Sequence, residues 1–122
     1  MCQASVVVIC HPGLSGFDAK DLNRIYTGRV VRVGGEAVRP VNLKSGSSVR
    51  DVFMRDVLKQ SDDDYISYWI VRRAIGKGAP PPEIDNPNEL LDFIRHNAGA
   101  IGYLDNTGLD LTGVTVVLTV GK

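Results

Sequence analysis

The chain has 122 residues, of which 43% are hydrophobic and 23% are charged, and its formal net charge is zero. This size and composition are typical of one soluble globular domain spanning residues 1–122, and they exclude long disordered stretches. The neutral charge removes a general electrostatic attraction to nucleic acid or to a membrane surface, and no apolar run is long enough to predict a membrane span.

The charge is unevenly distributed along the chain. Residues 20–59 contain nine Lys and Arg against four Asp and Glu, and the balancing negative charge includes the run Asp62-Asp63-Asp64. A basic stretch of this kind fits a small anion as ligand, and it also fits an ordinary solvated surface. Both interpretations stay open at this point.

The chain begins with a predicted strand and a predicted helix. Residues 4–10 form a short β-branched run that His11-Pro12-Gly13 ends, as expected of a buried strand. A helix is predicted to follow, with Asp18 as its N-cap and Gly28 as its stop. Its buried face would consist of Leu22, Ile25 and Tyr26.

Two strands are predicted next, around the turn Gly34-Gly35, and Pro40 places the second at a sheet edge or makes it irregular. The second helix starts at about residue 48. Its buried side is predicted to be Val49, Val52, Phe53 and Val57.

Ser61 is the predicted N-cap of a third helix, which Gly76-Lys77-Gly78 ends. The aspartate run then lies at the positive end of the helix, an interpretation that we prefer to a metal site. The inner face of this helix is predicted to be Tyr65, Ile66, Trp69 and Ile70.

Residues 79–86 include three consecutive prolines and are predicted to form a loop. A fourth helix begins with Asn86 as N-cap and Pro87 as first residue, and two short strands follow at about residues 100–104 and 114–120. Strands thus alternate with helices. The predicted fold class is α/β, with a mixed sheet flanked by about four helices.

Few residues suggest catalysis or metal binding. Cys2 and Cys10 lie on one strand, too far apart for a disulfide, and no Cys/His spacing predicts a metal site. The two histidines, His11 and His96, form no arrangement of nucleophile, base and orienting group with other residues. The sequence therefore predicts a non-enzymatic protein without a metal or cofactor. The aromatic residues Tyr26, Tyr68, Trp69 and Tyr103 are interpreted as core rather than pocket lining.

The start of the second helix is the strongest candidate for a binding site. Small hydroxylated residues at this position can cap the helix, and the free amides and partial positive charge there can also hold an oxyanion. Arg50 lies in the first turn and could donate two hydrogen bonds to such an anion. The candidate ligand-binding residues are Ser45, Gly46, Ser47, Ser48, Val49 and Arg50.

Several segments occur in an order that resembles a known family. They are DLNRIYTGR, VRPVNLKSGSSVRDVF, YISYW, GKGAPP, ELLDFIRHNAGAIGYL and GVTVV. They resemble the phosphate-binding proteins of phosphate ABC transporters, in the type II periplasmic binding-protein class, and the resemblance covers roughly residues 5–118. The resemblance is stronger to short, secreted, single-lobe relatives that are described as phosphate ABC transporter substrate-binding-like.

The resemblance implies a single lobe of that fold, an oxyanion ligand such as phosphate, and a periplasmic or secreted location. Such proteins carry a targeting segment. Because a strand follows Met1 so closely, we expect that this segment has been removed from the sequence. The glycine-serine-glycine-threonine turn that binds the anion in the larger relatives falls on residues 46–49.

This sequence also departs from that pattern. It has Leu43 where the larger relatives place an arginine, Ser45 where they place an acidic residue, and Ser48 in place of the second glycine of the turn. About half of a two-lobed protein is absent as well. Two hypotheses follow: a module that binds phosphate or a related oxyanion weakly, and a protein-interaction or assembly module that has lost its ligand and forms a homo-oligomer or binds a periplasmic partner.

Overall fold

The structure is a computed structural model that describes residues 6–14 and 17–120. The strands are β1 Val6–Cys10, β2 Arg32–Val33, β3 Glu36–Ala37, β4 Arg39–Pro40, β5 Asn42–Leu43, β6 Glu83–Ile84, β7 Ala100–Asp105 and β8 Thr115–Val120. The helices are α1 Ala19–Tyr26, α2 Ser48–Phe53, α3 Asp62–Ala74 and α4 Pro87–His96, and a π-helical turn, Met54–Leu58, continues α2. The predicted α/β class with four helices and a mixed sheet is confirmed.

The main sheet has four strands in the order β4-β7-β1-β8. Strand β1 pairs antiparallel with β7 and with β8, whereas β4 pairs parallel with β7. The fully buried β1 therefore lies inside the sheet, as its continuous apolar sequence predicts. Pro40 lies in the edge strand β4, where its missing N–H leaves no neighbouring strand unpaired.

Aromatic side chains form the centre of the core beneath this sheet. The ring of Phe53 stacks on that of Tyr103 at a centroid distance of 3.9 Å, and Tyr26 meets Phe53 edge-on at 4.9 Å. Tyr26, Trp69 and Tyr103 are buried and Tyr68 is partly buried, which confirms that these four residues belong to the core.

The predicted helix ends of α1 and α4 are confirmed, because local hydrogen bonds define them. Asp18 accepts from the amides of Lys20 and Asp21 and forms a complete capping box. The Asn86 side chain accepts from the amides of Asn88 and Glu89 at the start of α4, with Pro87 in the first turn. Gly28 follows α1 with φ +78°, and a Cβ at this position would lie 2.8 Å from the Trp69 ring, so the glycine also allows α1 and α3 to approach closely.

The segments around the glycine turn and the prolines pair differently from the prediction. Gly34-Gly35 does form a hairpin turn, between β2 and β3. The strand expected after it is divided into β3, β4 and β5, and β5 lies outside the main sheet and pairs with β6. The loop predicted for residues 79–86 therefore contains a strand, in which Glu83 and Ile84 pair parallel with Asn42 and Leu43, and the Asn42 amide donates to the Pro82 carbonyl at 2.9 Å.

The predicted inner face of α3 is half wrong. Tyr65 and Trp69 are buried, but Ile66 and Ile70 are exposed. Both aromatic side chains donate to the carbonyl oxygen of Tyr26, at 3.0 Å from the Tyr65 hydroxyl and 3.2 Å from Trp69 Nε1. Because of these bonds, Tyr65 and Trp69 face the core. Ile66 and Ile70 each follow one of them directly in the helix and therefore face solvent.

On α2 the prediction is nearly right. Phe53 is buried, Val57 is buried in the π-helical turn, and Val49 and Val52 are partly buried against the core.

No helix among the described residues is both long and apolar enough to cross a membrane. Cys10 is buried and free, whereas Cys2 lies outside the described residues.

Candidate functional site

The six predicted ligand-binding residues form one continuous feature, the turn that leads into α2. Gly46 adopts φ +99°, which glycine tolerates, and the Ser47 amide donates to the Lys44 carbonyl at 3.2 Å. Ser47 is the N-cap, and its hydroxyl accepts from the Arg50 amide at 3.3 Å. The turn is therefore a helix start with a glycine that reverses the chain just ahead of it.

The exposed part of this turn carries a small set of free donors. Ser48 and Val49 occupy the first two positions of α2, where no carbonyl of the helix can accept from their amides. Ser48 is exposed and Val49 is partly buried. These two amides and the Ser48 hydroxyl are the groups that an anion approaching from solvent would meet.

Arg50 points in the opposite direction, into the protein. Only 2% of its surface is exposed. Its Nε donates to Asp62 Oδ1 at 2.7 Å, and its Nη1 donates both to the Leu43 carbonyl and to Glu83 Oε2, each at 2.9 Å. Arg50, which was predicted to bind an anion, therefore joins α2 to the starts of α3 and β6.

Asp62 also accepts a hydrogen bond from Ser45, a second residue of the predicted ligand-binding set. The Ser45 hydroxyl donates to Asp62 Oδ2 at 2.6 Å, so the two carboxylate oxygens bind Ser45 and Arg50 at the same time. Burial lowers the pKa of the Arg50 guanidinium, whereas its hydrogen bond to Asp62 raises it, and the net direction is upward. The guanidinium consequently remains charged next to two carboxylates.

Buried hydroxyl groups hold the backbone to which Arg50 is attached. Tyr103 donates to Asn42 Oδ1 at 2.8 Å and accepts from the Leu43 amide at 3.1 Å, while the Asn42 side chain donates to the Tyr65 hydroxyl at 3.1 Å. Burial raises the pKa of Tyr65 to about 12, so it is a neutral hydroxyl at physiological pH. These bonds fix β5 and with it the Leu43 carbonyl that accepts from Arg50.

The sequence analysis does not predict that three residues belong to this site: Asn42, Asp62 and Glu83. Asp62 was interpreted only as a helix-dipole residue, and Glu83 only as part of a loop. Neither has a local spacing rule that links it to Arg50. Among the described residues, no group of three or more His, Cys, Asp or Glu side chains is placed to hold a metal ion.

Comparison with known proteins identifies the fold. No protein-family model matches the sequence, and no curated protein matches it. Solved structures do match. A phosphate ABC transporter substrate-binding protein from Clostridium perfringens, solved with bound phosphate, superposes with a TM-score of 0.71 at 18% identity, covering 94% of this chain and 44% of that one. An ABC-type phosphate transport receptor from Vibrio cholerae gives a TM-score of 0.69 at 13% identity, covering 94% and 46%.

The chain therefore has the fold of a single lobe of a periplasmic binding protein. Its particular structural neighbours are substrate-binding proteins of phosphate ABC transporters, as the sequence resemblance implied. The chain spans less than half the length of these neighbours.

Proposed function

We propose that this chain is a non-enzymatic, solute-binding-like module that binds phosphate or a related oxyanion weakly at the turn Ser45 to Arg50. The observation that carries the proposal is the exposed start of α2, with the free amides of Ser48 and Val49 and the Ser48 hydroxyl. The fold supports it, because one structural neighbour is described with bound phosphate. A periplasmic or secreted location belongs to the same proposal, and fractionation of the native cells would test it.

The charges around Arg50 explain why binding should be weak. The guanidinium contributes one positive charge beneath the turn, while Asp62 and Glu83 contribute two negative charges next to it. A multivalent anion therefore meets repulsion as well as attraction, and it meets solvent on its outer side. Exposed charge contacts of this kind are worth about 0–1 kcal/mol each, so the three donors together supply at most about 3 kcal/mol, which gives millimolar or weaker affinity.

Titration calorimetry with phosphate and with sulfate tests the proposal. In the variant Ser48→Asp, a carboxylate occupies the position of the anion, and an acidic residue in the first turn keeps the helix stable. Binding should be measurable in the wild type and absent in this variant. Asn88→Asp is the matched control, because it adds the same charge at the exposed start of α4. No heat from the wild type at millimolar anion would reject oxyanion binding.

A second candidate function is a protein-interaction or assembly module that does not bind the anion. The observation that favours it is that Ser45 and Arg50 already donate to Asp62 within the chain. A site with internal acceptors is stable without a ligand. Light scattering would detect a homo-oligomer, and a monomer that binds phosphate but no protein would contradict this candidate.

A further inference from the structure

The outer side of α3 exposes an apolar surface that the fold does not use. Ile66 and Ile70 are one helical turn apart on this side, and Ile70 is 63% exposed. Large apolar side chains grouped on one helix side are uncommon on a surface that only contacts water.

Two hollows adjoin this surface, on either side of the strap formed by Ala79–Pro82. The first has a volume of about 480 Å³ and is lined by Ile66 and Ile70, and the second has a volume of about 540 Å³ and is lined by Val31 and Phe93. Trp69 and the strap border both hollows. We call the strap, the two hollows and the exposed isoleucines of α3 the strap face.

Arginines surround the strap face without carboxylate partners. Arg73 borders the first hollow and Arg39 borders the second, and the guanidinium of Arg72 lies 5.5 Å from the Trp69 ring centroid. In the described part of the chain, none of the three forms a salt bridge. The Nε of Arg72 is buried without any hydrogen-bond acceptor. Glu83 and Arg50 also line the first hollow, and they pair with each other at 2.9 Å.

An apolar surface with a positive rim limits the occupants that fit it. In a twofold dimer formed through this face, each copy would offer the other the same patch, whose arginines outnumber its one lining carboxylate, Glu83, so the positive charge would stay unbalanced. A purely apolar ligand would cover the arginines and leave their charge unpaired. A polypeptide segment with carboxylates next to apolar side chains satisfies both parts of the surface.

We propose that the strap face binds a partner protein through an acidic segment whose apolar side chains enter the two hollows. Aspartate or glutamate of that segment would pair with Arg73, which lines the first hollow, and with Arg39, which lines the second and donates to Asn97 Oδ1 at 2.7 Å. This inference rests on the second candidate function, an interaction module, and it does not depend on whether the start of α2 binds an anion.

Selection from a phage library of random dodecapeptides tests the proposal. Peptides enriched on the wild type should combine acidic and apolar residues, and synthetic copies should bind in a fluorescence anisotropy titration. Ile70→Asp and Arg73→Glu should each weaken that binding about tenfold or more, because each variant adds a negative charge to the surface. Binding should also weaken as the salt concentration rises.

Val116→Asp is the matched control. Val116 is exposed to 45% on β8, at the opposite edge of the main sheet from β4, so the same kind of change should leave peptide binding unaltered. Circular dichroism melting of all three variants shows whether each one folds, and the exposed positions of Ile70 and Arg73 predict that both do.

Three results would overturn the proposal. Enriched peptides without acidic residues, or peptides that bind Ile70→Asp and Arg73→Glu as tightly as the wild type, would show an interaction module that uses another surface. Self-association that Ile70→Asp abolishes would assign the face to a second copy. A monomer that enriches no peptide would contradict the strap face and the interaction function together, while calorimetry with phosphate would report separately on oxyanion binding.

Discussion

Arg50 and Arg73 carry the same charge in two contrasting environments. Arg50 is buried and donates to Asp62, Glu83 and a backbone carbonyl, whereas Arg73 is exposed and, within the described residues, has no carboxylate partner. The first arginine holds three elements of the fold together, and the second remains available to a partner. An arginine inside a binding motif can thus be structural, while an arginine outside any motif can be the accessible one.

The largest effect is expected at Arg50. Arg50→Ala leaves Asp62 without its charge partner at a nearly buried position, and it removes a bond to β5. The free energy of unfolding should fall by about 3 kcal/mol, the magnitude typical of breaking a buried ion pair. Urea denaturation measures this loss.

Arg55→Ala is the control for that experiment. Arg55 pairs with Asp56 on the surface, so its removal should change the free energy of unfolding far less than the removal of Arg50. Equal losses from the two substitutions would contradict the structural role of Arg50.

Alkaline pH should weaken the region around Arg50 through Tyr65. Burial raises the pKa of Tyr65 from 10.0 to about 12 in the folded protein, against hydrogen bonds to Asn42 and Trp69 that lower it. Between these two values the unfolded chain loses the phenol proton while the folded chain keeps it. The folded state therefore binds more protons, and the free energy of unfolding falls as pH rises through this window, by about 2 kcal/mol.

Chemical denaturation at a series of pH values checks this expectation. Tyr65→Phe has no proton to lose at this position, so its stability should decline less steeply with pH than that of the wild type. The other buried tyrosines are present in both proteins and cancel in the comparison. Identical slopes would show that Tyr65 does not titrate as its burial predicts.

A smaller effect is expected when Glu83 is neutralised. In Glu83→Gln the guanidinium of Arg50 still pairs with Asp62, but it loses the negative charge of Glu83. The Glu83 side chain is 45% exposed and is therefore easily displaced. Phosphate should bind several-fold more tightly, by up to about tenfold, because one repulsive charge is gone. Calorimetry against Glu89→Gln, an equivalent change in the first turn of α4, separates this local effect from the change in net charge. Unchanged phosphate binding in Glu83→Gln would remove Arg50 from the proposed anion site.

The smallest effect on stability is expected at the strap face. Arg73→Ala and Ile70→Asp should each change the free energy of unfolding by less than about 0.5 kcal/mol, because neither side chain is packed in the folded monomer. Thermal melting monitored by circular dichroism checks this. A large loss in either variant would mean that the face is part of the core and is not available to a partner.

Local sequence was sufficient to predict the ends of α1 and α4, because Asp18 and Asn86 bond to amides within three residues of themselves. The apolar run of β1 was equally informative, since the strand is buried along its whole length. The turn into α2 was also predictable as a unit. Its six residues are contiguous, so any fold that forms the helix brings them together.

The orientation of side chains within those elements was not predictable in the same way. Aromatic and aliphatic residues alternate along α3, and hydrophobicity alone does not distinguish the stripe of Tyr65 and Trp69 from that of Ile66 and Ile70. The hydrogen bonds to the Tyr26 carbonyl decide between them, and that carbonyl belongs to a different helix.

The sequence by itself determined the four helices, the strands β1, β7 and β8, and where an anion could meet a helix start. Only the tertiary structure decided which charges are free. Arg50 meets Asp62 and Glu83 across separations of 12 and 33 residues, and no local pattern specifies contacts of that range. The physical reason is that caps and periodicity act within one or two helical turns, whereas burial and ion pairing depend on how the finished elements pack against each other.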